Sequence, residues 1–121
     1  MNIEEIREYC LSKPGVTECF PFDETTLVFK VMGKMFCLAN LDGELGLALK
    51  NTPEKIIEMR EMYSCVVPAY HFNKVHWNRV MVDYSVPDEL LLSWIDESYD
   101  LVTDGLTRKL KDELQKMKHH D

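Results

Sequence analysis

The sequence predicts one α+β domain, an antiparallel meander with helices before and after it. Three observations carry the prediction. At 121 residues and 45% hydrophobic content, the chain can bury one real core and is too short for two ordinary ones. Between residues 26 and 49, three apolar segments are separated only by Met32-Gly33 and by a loop opening on Asp42-Gly43, glycine turns of the kind that join antiparallel neighbours. On either side of them, apolar residues recur at helical spacing behind capping signals.

Asn2 caps the first helix, Glu5 answers it from the third helical position, and Ile3, Ile6, Cys10 and Leu11 form one apolar stripe. Glu4, Glu5 and Glu8 hold much of the other side, which reads first as a solvated face. Pro14-Gly15 stops this helix. Residues 17–22 are expected to be extended or irregular, bounded by Pro21, with strands over 26–31, 34–41 and 45–49. Gly33-Lys34 lacks the upstream glycine spacing and the following Ser or Thr of a phosphate-binding loop, so it is an ordinary turn.

Thr52-Pro53-Glu54 supplies a cap, a first-turn proline and a first-turn acid for a second helix. Ile56, Met59 and Tyr63, with their neighbours Ile57 and Met62, supply its buried stripe, and the methionines read as core filler. Pro68 separates this helix from the next segment, and 78–83 is a further strand. Pro87-Asp88-Glu89 opens a third helix in which Leu90, Leu91, Trp94, Ile95, Leu101 and Val102 are spaced for burial, and Gly105 breaks or bends it. Leu106, Leu110, Leu114 and Met117 carry a helical stripe through 106–118, an amphipathic extension that either docks on the domain or holds a partner. Lys118-His119-His120-Asp121 is expected to fray.

No apolar run approaches the length needed to cross a membrane, and the start lacks the basic and apolar blocks of a signal peptide, so a cytoplasmic protein without membrane partners is expected. Cys10, Cys19, Cys37 and Cys65 are widely spaced among apolar residues with no Cys-x-x-Cys, which favours buried free thiols over disulfides or a metal site. The net charge of -7 opposes nonspecific attraction to nucleic acid. The charge is unevenly spread, however. Residues 1–23 and 84–121 hold the excess acid while 24–83 balance, so a neutral-to-basic face can sit on an acidic body.

The richest stretch runs from Val66 to Val82: two histidines, two basic side chains, three large aromatics and two asparagines, without one carboxylate. His71 and His76 are five apart, with no glutamate between them, which does not match a helical zinc motif, and no serine or cysteine is visibly paired with either. No catalytic set, metal site or cofactor is therefore assigned. Tyr70, Phe72 and Trp77 could stack on bases, Lys74 and Arg79 could meet phosphates, and Asn73 or Asn78 could read polar edges. Trp77 could equally be a core or rim anchor. Lys30, Lys34 and Lys50 enlarge the positive face if the sheet meets this stretch, and the β segments around Gly33 and Asp42-Gly43 are candidate wings for DNA grooves.

The ordered set Pro14-Gly15-Val16-Thr17-Glu18-Cys19-Phe20-Pro21-Phe22, Val28-Phe29-Lys30-Val31-Met32-Gly33-Lys34-Met35-Phe36, Leu49-Lys50, Val67 through Asn78, and Ser98-Tyr99-Asp100-Leu101-Val102 resembles the MmcQ/YjbR family across roughly residues 3–106. The resemblance implies a frataxin-like, or CyaY-like, two-layer sandwich: a twisted antiparallel sheet covered by helices, with a double-wing DNA-binding arrangement suggested from shape. It falls most strongly on Pro14, Gly15, Glu18, Pro21, Phe22, Lys34, Phe36, Lys50, Tyr70, His71, Asn73, Lys74, His76, Trp77, Asn78, Ser98, Tyr99, Leu101 and Val102. Under it, Glu18 and the Pro21 turn would clamp the basic stretch, and Tyr99 would pack beneath it.

The leading expectation is a small non-enzymatic binding protein that engages DNA, weakly or specifically, through the wings and residues 70–79. The alternative is an adaptor for a protein or small ligand, the protein partner held by the C-terminal helix. An enzyme would require His71 or His76 to meet a carboxylate, Cys37 or Cys65 in a concave pocket.

Overall fold

A computed structural model describes residues 1–118, so the expected fraying of 119–121 lies outside the described residues. The chain folds as α1 (Ile3–Ser12), β1 (Val16–Cys19), β2 (Thr26–Val31), β3 (Lys34–Asn40), β4 (Gly46–Lys50), α2 (Pro53–Met62), β5 (Val66–Pro68), β6 (Trp77–Met81), α3 (Asp88–Asp104) and α4 (Arg108–Lys118). The six strands form one sheet in the order β1-β2-β3-β4-β6-β5, antiparallel at every step.

Local chemistry sets most of these elements. The Asn2 Oδ1 accepts from the Glu5 N–H at 2.9 Å while the Glu5 carboxylate accepts from the Asn2 N–H at 3.1 Å, so the capping box closes at both ends. Thr52 caps α2 through the Lys55 N–H. Met32 and Gly33 both have positive φ, the conformation that lets a two-residue turn follow the right-handed twist of its strands. Two strands were not expected as such. Residues 16–19, at the start of a segment expected to be extended or irregular, form a regular edge strand, and β5 is a three-residue edge strand ending on Pro68, where a missing N–H costs no ladder bond. Ile57 and Met62, expected in the buried stripe of α2, are instead exposed, since they fall off the face of the helix that buries Ile56 and Met59.

Successive side chains on each strand face opposite layers. One layer is the core: Leu27, Phe29 and Val31 of β2, Cys37 and Ala39 of β3, Leu47 and Leu49 of β4, and Val80 of β6 meet Ile6 and Cys10 of α1, Met59 of α2, Leu91, Trp94, Ile95 and Tyr99 of α3, and Leu114 of α4. All four helices thus cover the same face. The ladder between β2 and β3 slips after Phe29, so both Phe36 and Cys37 enter this core. The buried Ser98 hydroxyl of α3 donates to the Phe36 carbonyl at 2.5 Å and accepts from the Lys50 N–H at 2.9 Å.

The C-terminal helix is docked. Leu106 and Leu114 are buried, Leu110 packs partly against the core, and only Met117 of the predicted stripe remains half exposed. The apolar seam expected to hold a partner is therefore turned inward. Gly15, at φ 74°, makes the docking possible, because a β-carbon there would stand 2.8 Å from Leu114 Cδ1. Among the described residues, no helix is long and apolar enough to cross a membrane.

Candidate functional site

The face without helices is built from the alternate residues of the same strands. Register aligns Cys19, Val28, Leu38, Ala48 and Arg79 in one row across β1, β2, β3, β4 and β6, with Lys30 opposite Met35 and Lys50 opposite Trp77 in neighbouring rows. Val28, Leu38 and Ala48 form a small apolar floor, covered in part by Cys19, Met35, Phe72 and Trp77. The Phe72 and Trp77 rings lie 5.5 Å apart at 32°. Among the described residues, no strand position on this face is a carboxylate, whereas the helical layer carries Glu4, Glu5, Glu8, Glu54, Glu58, Asp96, Glu97 and other acids. Among the described residues, the strand positions of the uncovered face thus carry only Lys30, Lys50 and Arg79 as fixed charges, while Asp23 and Asp42, outside the strands, bring acid to its cavity.

A cavity of about 330 Å³ opens on this face between the 69–72 loop and strands β2 to β4. Arg79 lies across its floor, and only a glycine at 46 permits that path, since a β-carbon there would be 2.5 Å from Arg79 Nε. Arg79 as a residue is half buried, yet its guanidinium makes no hydrogen bond or ion pair among the described residues. Asp23, Asp42 and His71 also line the cavity. The Thr25 N–H and the Thr26 hydroxyl hold the Asp23 carboxyl below the usual carboxylate range. A larger cavity, about 620 Å³, lies at the end of the sheet beside α1; its one arginine, Arg7, is already paired with Glu18.

The predicted site residues divide. Lys30, Lys50, Trp77 and Arg79 share the uncovered face, and His71 joins Arg79 at the cavity. Tyr70 is 71% exposed with Lys74 Nζ 4.9 Å from its ring centre, so these two stand together on the loop at the rim. Asn73 is spent on local structure: its side chain accepts from the Val75 N–H, and its carbonyl accepts from the N–H groups of His76 and Trp77. His76 is half buried at the end of this turn, its carbonyl accepting from the Asn51 N–H. Lys34 pairs with Val31 in register and so belongs to the opposite side from Lys30. Asn78 is 0% exposed on the helical side, accepting from Arg60 Nε at 2.6 Å and donating to the Ile56 carbonyl at 3.1 Å.

Three further expectations need correction. Glu18 does not clamp the basic stretch; it holds Arg7 of α1 through both carboxylate oxygens. Tyr99 lies in the helical core against Phe36 and donates to the Pro14 carbonyl at 2.6 Å. The two candidate wings cannot act side by side, because β3 runs between them and puts the turns at opposite ends of the sheet. Cys37 and Cys65 are buried in the helical core, away from both histidines, and a bond from Cys10 together with burial holds the Cys37 thiol well above its ordinary range. Among the described residues, no three His, Cys, Asp or Glu side chains gather as metal ligands.

Arg60, Gly46 and Asp23 were absent from the sequence-based site, and Asp42 entered it only within a candidate wing turn. Of the three absent residues, Gly46 alone left a signal, as the small residue that interrupts an otherwise apolar strand pattern.

A two-layer α+β scaffold, helices on one side and a basic, aromatic sheet face on the other, is the class that these features define. The chain belongs to the YjbR family, whose pattern matches residues 11–101. It is 36% identical over 107 residues to the uncharacterized protein YbdF of Escherichia coli O157:H7, covering 88% of each chain. It is 33% identical over 100 residues to the uncharacterized protein YjbR of Escherichia coli strain K12, covering 82% of this chain and 85% of that one. The crystal structure of Deinococcus radiodurans protein DR2400, of domain DUF419, superposes with a TM-score of 0.87 at 40% identity, over 94% of this chain and 88% of that one. A Pseudomonas syringae protein structure at 23% identity shares the fold, with a TM-score of 0.73 over 84% of this chain and 98% of that one.

Proposed function

We propose that this protein is a non-enzymatic binding protein that takes single-stranded nucleic acid across its uncovered sheet face. The observation that carries the reading is the basic and aromatic character of that face's strands: Lys30, Lys50 and Arg79 share the face with Trp77 and Phe72 and with no strand carboxylate, although Asp23 and Asp42 line its cavity. Cations for phosphates beside aromatic platforms for bases are what strand binding needs. Duplex grooves fit less well, since the hairpin turns point to opposite ends and the platform is a shallow sheet surface. An acidic helical layer behind the platform disfavours tight nonspecific binding, so the affinity is modest. We also read the sandwich as frataxin-like and place the protein in the cytoplasm, a reading supported by four cysteines without a disulfide among them.

Fluorescence anisotropy with labelled single- and double-stranded oligonucleotides at several salt concentrations tests this. A Lys30→Ala, Lys50→Ala double variant should weaken single-strand binding about tenfold or more and flatten its salt dependence, each lost phosphate contact lowering the slope by ~0.7. Lys34→Ala, on the other side, should leave both unchanged. Flat titrations at low salt across varied sequences would overturn the proposal, and tighter binding to duplex than to single strands would overturn its choice of ligand.

A further inference from the structure

The cavity beneath the 69–72 loop asks for a guest that an extended strand surface does not by itself specify. At about 330 Å³ it is at the small end of ligand sites, ~300–1,000 Å³, so it holds one ring system with a short appendage. Leu38, Gly46 and Ala48 give it a flat apolar floor, two of the three being small, and Phe72 gives it an aromatic wall. Arg79 lies along that floor with no guanidinium donor used among the described residues, which is a prepared contact for a planar or tetrahedral anion. Asp23, held ionised by its threonine bonds, and Asp42 line the same cavity and accept from donors while repelling an anion. The matching guest is flat, carries one anionic group and offers a donor away from it.

We infer that the cavity is a nucleotide pocket, taking a free nucleoside 5′-monophosphate or the terminal nucleotide of a strand. The phosphate meets Arg79, the base lies on Leu38 and Ala48 against Phe72, and an exocyclic amino group is directed to the carboxylates. This rests on the reading of the uncovered face as a nucleic-acid surface and adds a discrete subsite to it. It also assigns Gly46 as a positioning residue. The backbone there accepts alanine, but the β-carbon would drive the flexible Arg79 side chain off the floor without a cost to the fold. Bases with an exocyclic amine are favoured over thymine, which lacks one.

The test is a two-dimensional NMR titration of ¹⁵N-labelled full-length protein, following the Arg79 Nε–H and Gly46 amide signals. The probes are dAMP, dTMP, deoxyadenosine and inorganic phosphate. dAMP should shift both signals saturably, and deoxyadenosine and phosphate should each bind about tenfold to a hundredfold more weakly, as losing a charge-assisted contact or the ring contact requires. dTMP should be several-fold weaker than dAMP. Gly46→Ala and Arg79→Ala should each remove dAMP binding, while single-strand binding that depends on Lys30 and Lys50 persists in reduced form. Absence of dAMP binding alongside intact oligonucleotide binding overturns the pocket and leaves the face reading standing. If dAMP binds and oligonucleotides do not, the pocket stands and the strand reading falls. Equal binding of phosphate and dAMP reduces the site to a bare anion contact and overturns the nucleotide assignment.

Discussion

Arg60 on α2 donates from Nε to the Asn78 Oδ1 at 2.6 Å, although the two residues belong to different layers. The same guanidinium donates through Nη2 to the carbonyls of Lys74, at 2.5 Å, and Trp77, at 3.3 Å. One arginine behind the sheet therefore fixes the loop that carries Phe72 and Lys74 and the first residue of β6, while Asn78 returns the tie to α2 through the Ile56 carbonyl. The aromatic edge of the uncovered face is set from the helical side.

Breaking that tie should cost stability and loosen the loop together. Asn78→Ala leaves the Arg60 Nε–H without its partner and removes the second bond of the Ile56 carbonyl, which keeps its bond within α2, a loss of about 1–3 kcal/mol. Arg60→Ala should cost less, since part of its head reaches solvent. In a double-mutant cycle read by urea unfolding, the pair should be non-additive by about 1–2 kcal/mol. Simple additivity would show that the bond contributes nothing of its own. Trp77 should gain solvent exposure in Arg60→Ala while Trp94, buried in the core, does not.

Ser98 predicts a comparable effect by a different route. Its hydroxyl is the only described side-chain partner of both the Phe36 carbonyl, at the slipped register, and the Lys50 N–H at the end of β4. Ser98→Ala fills nothing and strands both backbone groups, so the urea midpoint should fall by an amount equivalent to about 2–3 kcal/mol with an unchanged m-value. A shift within experimental error would mean that the sheet relaxes to re-pair those groups.

The contrast between Lys30 and Lys34 shows what the sequence could and could not convey. Caps and tight turns are local chemistry, so Asn2, Thr52 and Met32-Gly33 were legible at once, as were the buried stripes of α1 and α3. Counting by twos from Leu38 puts Lys34 on the uncovered face with Lys30. The register slip places Phe36 and Cys37 together in the core and reverses the alternation before them. A one-residue slip has no signature in composition. The short strand β5 was equally silent, because three residues are too few to display a period, and the segment that starts with β1 read only as extended or irregular. The cavity was hidden for another reason: Arg79, Gly46, Asp23 and Asp42 meet only through the pairing of distant strands.

Gly15→Ala should expose the dependence of α4 on one backbone position. The residue would have to adopt φ 74° and place its β-carbon 2.8 Å from Leu114 Cδ1 and 3.0 Å from Met32 Sδ. Left-handed strain of ~1–2 kcal/mol and overpacking of ~1–3 kcal/mol both oppose it. Thermal unfolding should drop by several degrees, and amide exchange should accelerate first in α4. Gly33→Asn, also at positive φ but with open space around the site, should change little, since asparagine tolerates that conformation. Equal losses in the two variants would assign the effect to backbone strain alone and not to the docking of Leu114.

The contact between α1 and α3 should appear as a loss of stability in alkali. Tyr9 donates its phenol proton to Asp96 at 2.7 Å, and Asp96 also holds Lys13 Nζ at 2.5 Å. Partial burial, then the Asp96 bond and its negative charge, push the Tyr9 phenol up to about 12, against an ordinary value near ~10. The folded state thus keeps a proton that the unfolded chain releases first. Its contribution is complete below the unfolded value and is lost as pH rises from there through the folded one. Tyr99, raised by burial and then by Asp100, acts in the same direction. Urea midpoints should therefore be flat on approach from neutral pH and fall between about pH 10 and 12. Tyr9→Phe should begin lower, lacking the bond, and fall less steeply across that interval. A parallel decline in parent and variant would place the alkaline sensitivity in other groups and leave the Tyr9–Asp96 bond without a measurable share.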